Sequence, residues 1–261
     1  MRKWLTGLLV GSWVLLATGC LIGGRANTVS ESFEQTVPLL ADGSFEIENV
    51  NGSVHVETWE RPEVYIQAEK SAPSEEALAG IEIRIRAEDD RVRVETHLSK
   101  GLWSFLGSSR GSVSYRLVVP ETVRVDAVTV NGKVEVEDLA GALRAKSVNG
   151  SLAVSQAGGD VDASTVNGAI DVRYQTLPAS GRHKYSTVNG AIAVHLPASA
   201  SGDFSIKTVN GGISTDFPLD VAKKKRPGPK HVESRLGEGG GRFDFNTVNG
   251  SVRIVKQADE V

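Results

Sequence analysis

The sequence predicts an all-β protein built from stacked repeats, and three observations carry that prediction. A Val-Asn-Gly phrase occurs seven times, with its asparagines at Asn51, Asn131, Asn149, Asn167, Asn189, Asn210 and Asn249. Apolar residues fall on alternate positions to either side of each phrase, the period of a strand with one face buried. Glycine occurs 28 times and methionine once, and the other apolar residues are mainly Val, Ile, Leu and Ala, a composition that suits strands and turns better than helices.

From Asn131 onward the asparagines are 18, 18, 22, 21 and 39 residues apart. A fixed period near twenty marks a repeat architecture, and the doubled last interval has room for a degenerate or looped-out unit. Five residues before the valines stand Phe45, Val125, Leu143, Val161, His183, Phe204 and Phe243; three before stand Ile47, Ala127, Ala145, Ala163, Tyr185, Ile206 and Phe245. Asn49, Ser147 or a threonine comes directly before. After the glycine and one further residue come Val54, Val134, Leu152, Ile170, Ile192, Ile213 and Val252. Each unit therefore reads strand, Asn-Gly bend, strand, then a looser turn such as Ala157-Gly158-Gly159-Asp160. Two folds satisfy this parity. In a β-meander or sandwich, Asn-Gly makes a two-residue type I′ hairpin with both residues at positive φ. In a β-solenoid of 18–22-residue units, each unit is one coil, and Asn131 to Asn210 stack in one column as an amide ladder. The solenoid explains more, because a hairpin needs Asn-Gly but not the same Thr-Val in front of it every time.

The chain opens differently. Arg2 and Lys3 precede an apolar run from Trp4 to Leu16 and small residues at Ala17, Thr18 and Gly19, the three-part layout of a secretory signal peptide over residues 1–19. The run is shorter than the roughly twenty residues needed to span a bilayer as a helix. Leu16-Ala17-Thr18-Gly19-Cys20 resembles the lipobox of bacterial lipoprotein signal peptidase, with Ala17 where Leu is commonest. That likeness implies cleavage before Cys20, palmitate-type acyl chains on it, and a membrane-held protein. Leu21 in place of aspartate implies outer-membrane sorting in a Gram-negative cell. Residues 20–29 form a short lipidated tether. Cys20 is the only cysteine, so no disulfide joins two parts of the chain.

Residues 30–120 are expected to form a β-rich region that starts and caps the stack. Within it, Ser74 caps a short helical segment to Ala79 with Glu75 and Glu76 in its first turn, and Ile81–Arg86 and Arg91–Glu95 make a hairpin around Glu88-Asp89-Asp90. Residues 121–256 are the repeat section, with a basic and glycine-rich loop expected over 217–241. A leader of this kind, a strand-rich opening and Thr-Val-Asn-Gly-x-Ile-x-Val units together resemble the bacterial putative-adhesin family of β-strand repeat lipoproteins, over roughly residues 30–256. The resemblance implies a surface or envelope role and brings no active site with it.

Charge narrows the partners. Without residues 1–19 the 29 basic side chains become 27 against 32 acidic, a net of −5, which argues against nucleic acid, whose binding depends on a concentrated basic footprint. The histidines, His55, His97, His183, His195 and His231, share no metal spacing. Asp160, Asp162 and Asp171 lack the Gly-Gly-x-Gly-x-Asp pattern of a calcium roll, and no Gly-x-Ser-x-Gly elbow occurs. No cofactor, metal or catalytic residue is therefore expected. The outward positions Glu135, Ala153, Asp171, Ala193, Ser214 and Arg253 vary as a solvated face does. Two stretches break the pattern and are expected as contact points for an envelope polymer or a protein partner: Gly101–Gly107, with Leu102, Trp103, Phe105 and Leu106, and the basic run Lys223–Lys230. The reading is a lipid-anchored, non-enzymatic envelope module. The alternatives are a polysaccharide-acting enzyme of the envelope, with carboxylates gathered on one face, and a scaffold for a membrane signalling partner.

Overall fold

Apolar alternation on both sides of each Asn-Gly becomes strand in the structure, a computed structural model that describes residues 28–98, 111–219 and 229–257. The opening section contributes β1 (Val29–Pro38), β2 (Ser44–Glu48), β3 (Val54–Trp59), β4 (Glu63–Ala72), the helix α1 (Glu75–Ala79), β5 (Ile81–Glu88), β6 (Arg91–Leu98) and β7 (Ser112–Pro120). The repeats contribute β8 (Arg124–Val128), β9 (Val134–Glu137), β10 (Leu143–Lys146), β11 (Leu152–Ala157), β12 (Val161–Asn167), β13 (Ile170–Tyr174), β14 (Arg182–Asn189) and β15 (Ile192–Leu196). The chain closes with β16 (Gly202–Asn210), β17 (Ile213–Thr215), β18 (Lys230–Leu236), β19 (Gly241–Asn249) and β20 (Val252–Lys256). Ser74 caps α1 as expected, its hydroxyl accepting from the Ala77 N–H at 3.2 Å. β5 and β6 form the expected antiparallel hairpin, with Glu88 opposite Arg91.

The protein is all-β, with two ten-stranded mixed sheets that do not close into a barrel. The first runs β1-β4-β7-β3-β9-β11-β13-β15-β20-β17 and the second β18-β16-β19-β14-β12-β10-β8-β2-β6-β5. From β8 to β15, consecutive strands alternate between the sheets, and neighbours within each sheet are parallel. Like residues lie side by side. Leu143 pairs with Val125 and Val161, and Ile170 with Leu152 and Ile192.

A strand that enters Asn-Gly in the second sheet leaves it in the first, so the phrase is a corner between sheets. Its dihedrals agree. Among the described non-glycine residues only Asp138 and Gln156 have positive φ, and of the corner glycines only Gly52 does, at 116°. A type I′ hairpin needs positive φ at both central residues, so the hairpin reading of Asn-Gly is corrected. The glycine is there for another reason. A Cβ on Gly132, Gly150, Gly168, Gly190, Gly211 or Gly250 would come within 1.8–2.0 Å of the carbonyl oxygen of the neighbouring corner glycine.

Chain order and spatial order part at the far end. β19 lies between β14 and β16, and β20 between β15 and β17. The chain thus leaves one slot open, builds the last unit, and returns to fill the slot. The asparagines therefore run Asn51, Asn131, Asn149, Asn167, Asn189, Asn249, Asn210. The stretch expected as a loop over 217–241 contains β18, which pairs antiparallel with β16 and covers that edge of the second sheet. An uncovered parallel edge invites pairing with another chain, so a turned-back strand is a sound use of those residues. Residues 220–228 and 99–110, which hold most of both expected contact loops, lie outside the described residues, as does Cys20.

The core lies between the sheets. Phe45, Ile47, Val125, Ala127, Ala145, Ala163, Tyr185, Ile206 and Phe245 are all fully buried. Each large apolar side chain so buried contributes on the order of 1.5–3 kcal/mol, which is how a chain without a disulfide holds together. Among the described residues no helix is long and apolar enough to cross a membrane.

Candidate functional site

The Val-Asn-Gly corner repeats seven times along the stack, and its chemistry follows from stacking. A corner residue has no sheet partner for every polar atom, so side chains must supply them. The hydroxyls of Ser147, Thr165, Thr187, Thr247 and Thr208 are buried and donate to the carbonyls of Gly132, Gly150, Gly168, Gly190 and Gly250 on the neighbouring units, at 2.9–3.3 Å. One residue outward, the asparagines join side chain to side chain. Asn131, Asn149, Asn167, Asn189, Asn249 and Asn210 each donate Nδ2–H to the Oδ1 of the one before, at 2.8–2.9 Å. The ladder is unbroken over seven units and points one way.

Both ends of this system are closed by different residues. Asn49 stands where the other units have Ser or Thr, and its Nδ2 reaches the Gly52 carbonyl at 3.2 Å and the Val113 carbonyl at 2.8 Å. That leaves the buried Thr129 hydroxyl without a partner. At the far end, Lys230 Nζ donates to the Gly211 carbonyl at 2.7 Å, the place a threonine would take if another unit followed. Lys230, the last residue of the expected basic contact run, is therefore a cap.

Between the buried hydroxyls and the asparagines stand the valines. Val130, Val148, Val166, Val188, Val248 and Val209 are each 39–40% exposed, so the corner carries a continuous apolar ridge. At its far end Val188, Val248 and Val209, with Lys207, Pro229 and His231, line a groove of about 460 Å³.

The outer faces hold paired charges. Glu135 sits against Lys133, Asp171 against Arg173 at 3.5 Å and His195 at 3.6 Å, and Glu57 against Arg116 at 2.7 Å and His55 at 2.9 Å. Exposed pairs of this kind contribute at most about 1 kcal/mol. The three aspartates considered for calcium are not brought together, since Asp162 is on the second sheet and Asp171 on the first, with both side chains facing outward. Among the described residues no three His, Cys, Asp or Glu side chains are grouped to hold a metal ion.

One buried polar cluster went unread in the sequence. Tyr174 Oη lies 2.8 Å from His183 Nδ1 and 2.6 Å from Tyr185 Oη, and all three residues are buried. His183 Nε2 has no partner. Burial pushes the His183 pKa down to about 4, with Asp160 opposing weakly, and raises both phenols well above their usual range. The imidazole stacks on Phe243, centroids 4.6 Å apart. Alternation alone had placed His183 and Tyr185 on the inner face; Tyr174 follows Ile170 and Val172 in the same alternation, and that signal was sufficient to find it. Neither this groove nor a second one of about 460 Å³, at the opposite corner beside Pro178 and Ser199, is lined by the cluster.

No family model and no curated protein matches the chain. Several solved structures do. A putative cell adhesion protein from Clostridium sporogenes ATCC 15579 is 12% identical, with 87% of this chain and 100% of that one covered, at a TM-score of 0.49. A putative adhesin from Bacteroides fragilis NCTC 9343 is 10% identical over 87% and 97%, at 0.32. A putative lipid binding protein from Parabacteroides distasonis ATCC 8503 is 8% identical over 87% and 97%, at 0.27. At these scores and identities the likeness carries no argument about what this chain binds.

Proposed function

We propose that the chain is a lipid-anchored module of the bacterial envelope that acts by binding, with its repeats wound as a two-sided β-solenoid. The solenoid reading is supported by the alternate placing of consecutive strands in two sheets, with like residues in parallel register. A column of identical corners is what stacked coils produce and what hairpins within one sheet have no need of. The anchor reading rests on the basic head, apolar run and Leu16–Cys20 segment of the sequence. One observation carries the binding reading. Six corners present the same valine and asparagine in an exposed, unbroken row, and repeat folds use such extended faces for recognition. The acidic side chains of the outer faces stand beside bases, which uses them as surface ion pairs. The opening section 30–120 caps the stack, and the mature protein resides in the envelope.

Two measurements test this. The protein expressed from the full sequence should partition with membranes, and intact mass should show cleavage before Cys20 with acyl chains attached; Cys20→Ser should release it or leave it unprocessed. A protein cleaved elsewhere and free of lipid would sink the anchor. Breakdown of an envelope polysaccharide by purified protein, abolished by one carboxylate substitution that leaves the fold intact, would replace binding with catalysis.

A further inference from the structure

The two corners of the stack differ in charge as well as in shape. In the six units from Asn131 to Asn249, take the residues from two before the valine to one after the glycine: 128–133, 146–151, 164–169, 186–191, 207–212 and 246–251. None is acidic, in a chain with 32 acidic residues among 261. Three are lysines: Lys133, which sits against Glu135 just beyond its segment, and Lys146 and Lys207. Lys146 and Lys207 have no acidic partner among the described residues, and Lys230 stands at the end of the row. Only the first unit departs, with Glu48. The opposite corner is the reverse, with exposed Glu121, Glu137, Asp138, Asp160, Asp216 and Glu238.

We propose that the valine corner lies against an anionic phospholipid bilayer, its valine ridge in the headgroup region and its lysines on the phosphates. The six exposed valines span roughly 24 Å at one strand spacing per unit, long enough to lie along a surface. An apolar line flanked by cations, with no carboxylate in the six corner segments, suits a surface that is negative outside and apolar beneath. A second copy of the chain fits worse. Two such ridges laid together would bring Lys146 and Lys207 against lysines, with no carboxylate within the corner segments to meet them. The separated lysines also fall short of the dense basic footprint that nucleic acid requires. The opposite, acidic corner would face away.

The inference is independent of acylation at Cys20, so the test uses residues 20–261 carrying Cys20→Ser. That chain should float with vesicles of phosphatidylcholine mixed with phosphatidylglycerol, should not float with phosphatidylcholine alone, and should be released by salt. Lys146→Gln and Lys207→Gln should each weaken flotation roughly fivefold, while Glu137→Gln and Glu238→Gln should not weaken it. Lys230 is left intact because it caps the fold. In the same background, a polarity-sensitive dye on Val166→Cys should shift to the blue with the anionic vesicles, and the dye on Ser199→Cys at the opposite corner should not. Equal binding to neutral and anionic vesicles, a response at Ser199→Cys instead of Val166→Cys, or self-association in place of vesicle binding would each overturn the proposal. Failure here leaves the Cys20 mass measurement untouched, and failure there leaves this one untouched.

Discussion

The units at Asn131, Asn149 and Asn167 and those at Asn189, Asn249 and Asn210 share one corner and have different interiors. In the first group the inner positions of the second sheet are Val125 and Ala127, Leu143 and Ala145, Val161 and Ala163. In the second they are His183 and Tyr185, Phe243 and Phe245, Phe204 and Ile206. The aromatic rings stack across units, Phe243 on Phe204 at 4.7 Å and Tyr185 beside Phe245 at 4.9 Å. Larger contents need more room between the sheets, and the units there lengthen from 18 to 21 and 22 residues. The extra length goes into the turn opposite, such as 175–181, and none into the corner. Size is adjusted where the backbone has room, because at the corner the neighbouring glycines already touch.

That contrast breaks most sharply at the corner glycines. Gly150→Ala in the first group and Gly190→Ala in the second should be equally severe, each costing at least about 4 kcal/mol or preventing folding, since an added Cβ would meet a backbone oxygen at 1.8–1.9 Å in both. Urea unfolding of the two variants measures it. A mild effect in either group would mean that its corners can separate. The interiors should then differ. Phe245→Ala should cost about 3–5 kcal/mol, whereas Ala163→Gly at the equivalent position should cost about 1 kcal/mol.

A third difference lies in pH. His183 takes up a proton near 6.5 in the unfolded chain and near 4 in the folded one. Between those values the unfolded state binds more protons, so stability falls as pH drops from 6.5 toward 4 and is level above. The drop attributable to His183 is up to about 3 kcal/mol. The first group has no buried histidine among the described residues, so His183→Phe, which continues the stack on Phe243, should remove that part of the slope. Denaturation of both proteins at pH 7 and pH 5 compares them; parallel curves would mean that water or a carboxylate satisfies the imidazole. The smallest effect concerns the hydroxyls. Thr165→Val should cost about 1 kcal/mol for its bond to the Gly150 carbonyl. Thr129→Val should cost nothing or stabilise slightly, because its hydroxyl is buried without a partner.

Much of this was legible beforehand, because local rules produce it. Inner and outer faces follow from period-two alternation, and Ser74 from capping. The column of asparagines followed from repetition in a chain where each copy must bury the same face. The reason for the glycine was not legible, since Asn-Gly by itself is as good a hairpin as a corner, and only the approach of the next unit's carbonyl to each glycine tells them apart.

Two things lay beyond any local rule. Asn249 comes before Asn210 in space, although both copies carry the same phrase and either order satisfies the alternation. The order is set by long-range pairing, with β18 folded back on β16 and Phe243 seated between His183 and Phe204. Lys230 likewise reads as one more charge in a basic run until the last Gly211 carbonyl is found to need a donor. Periodicity reports which way a side chain faces, and an unpaired backbone atom at the end of a stack exists only once the stack has been built.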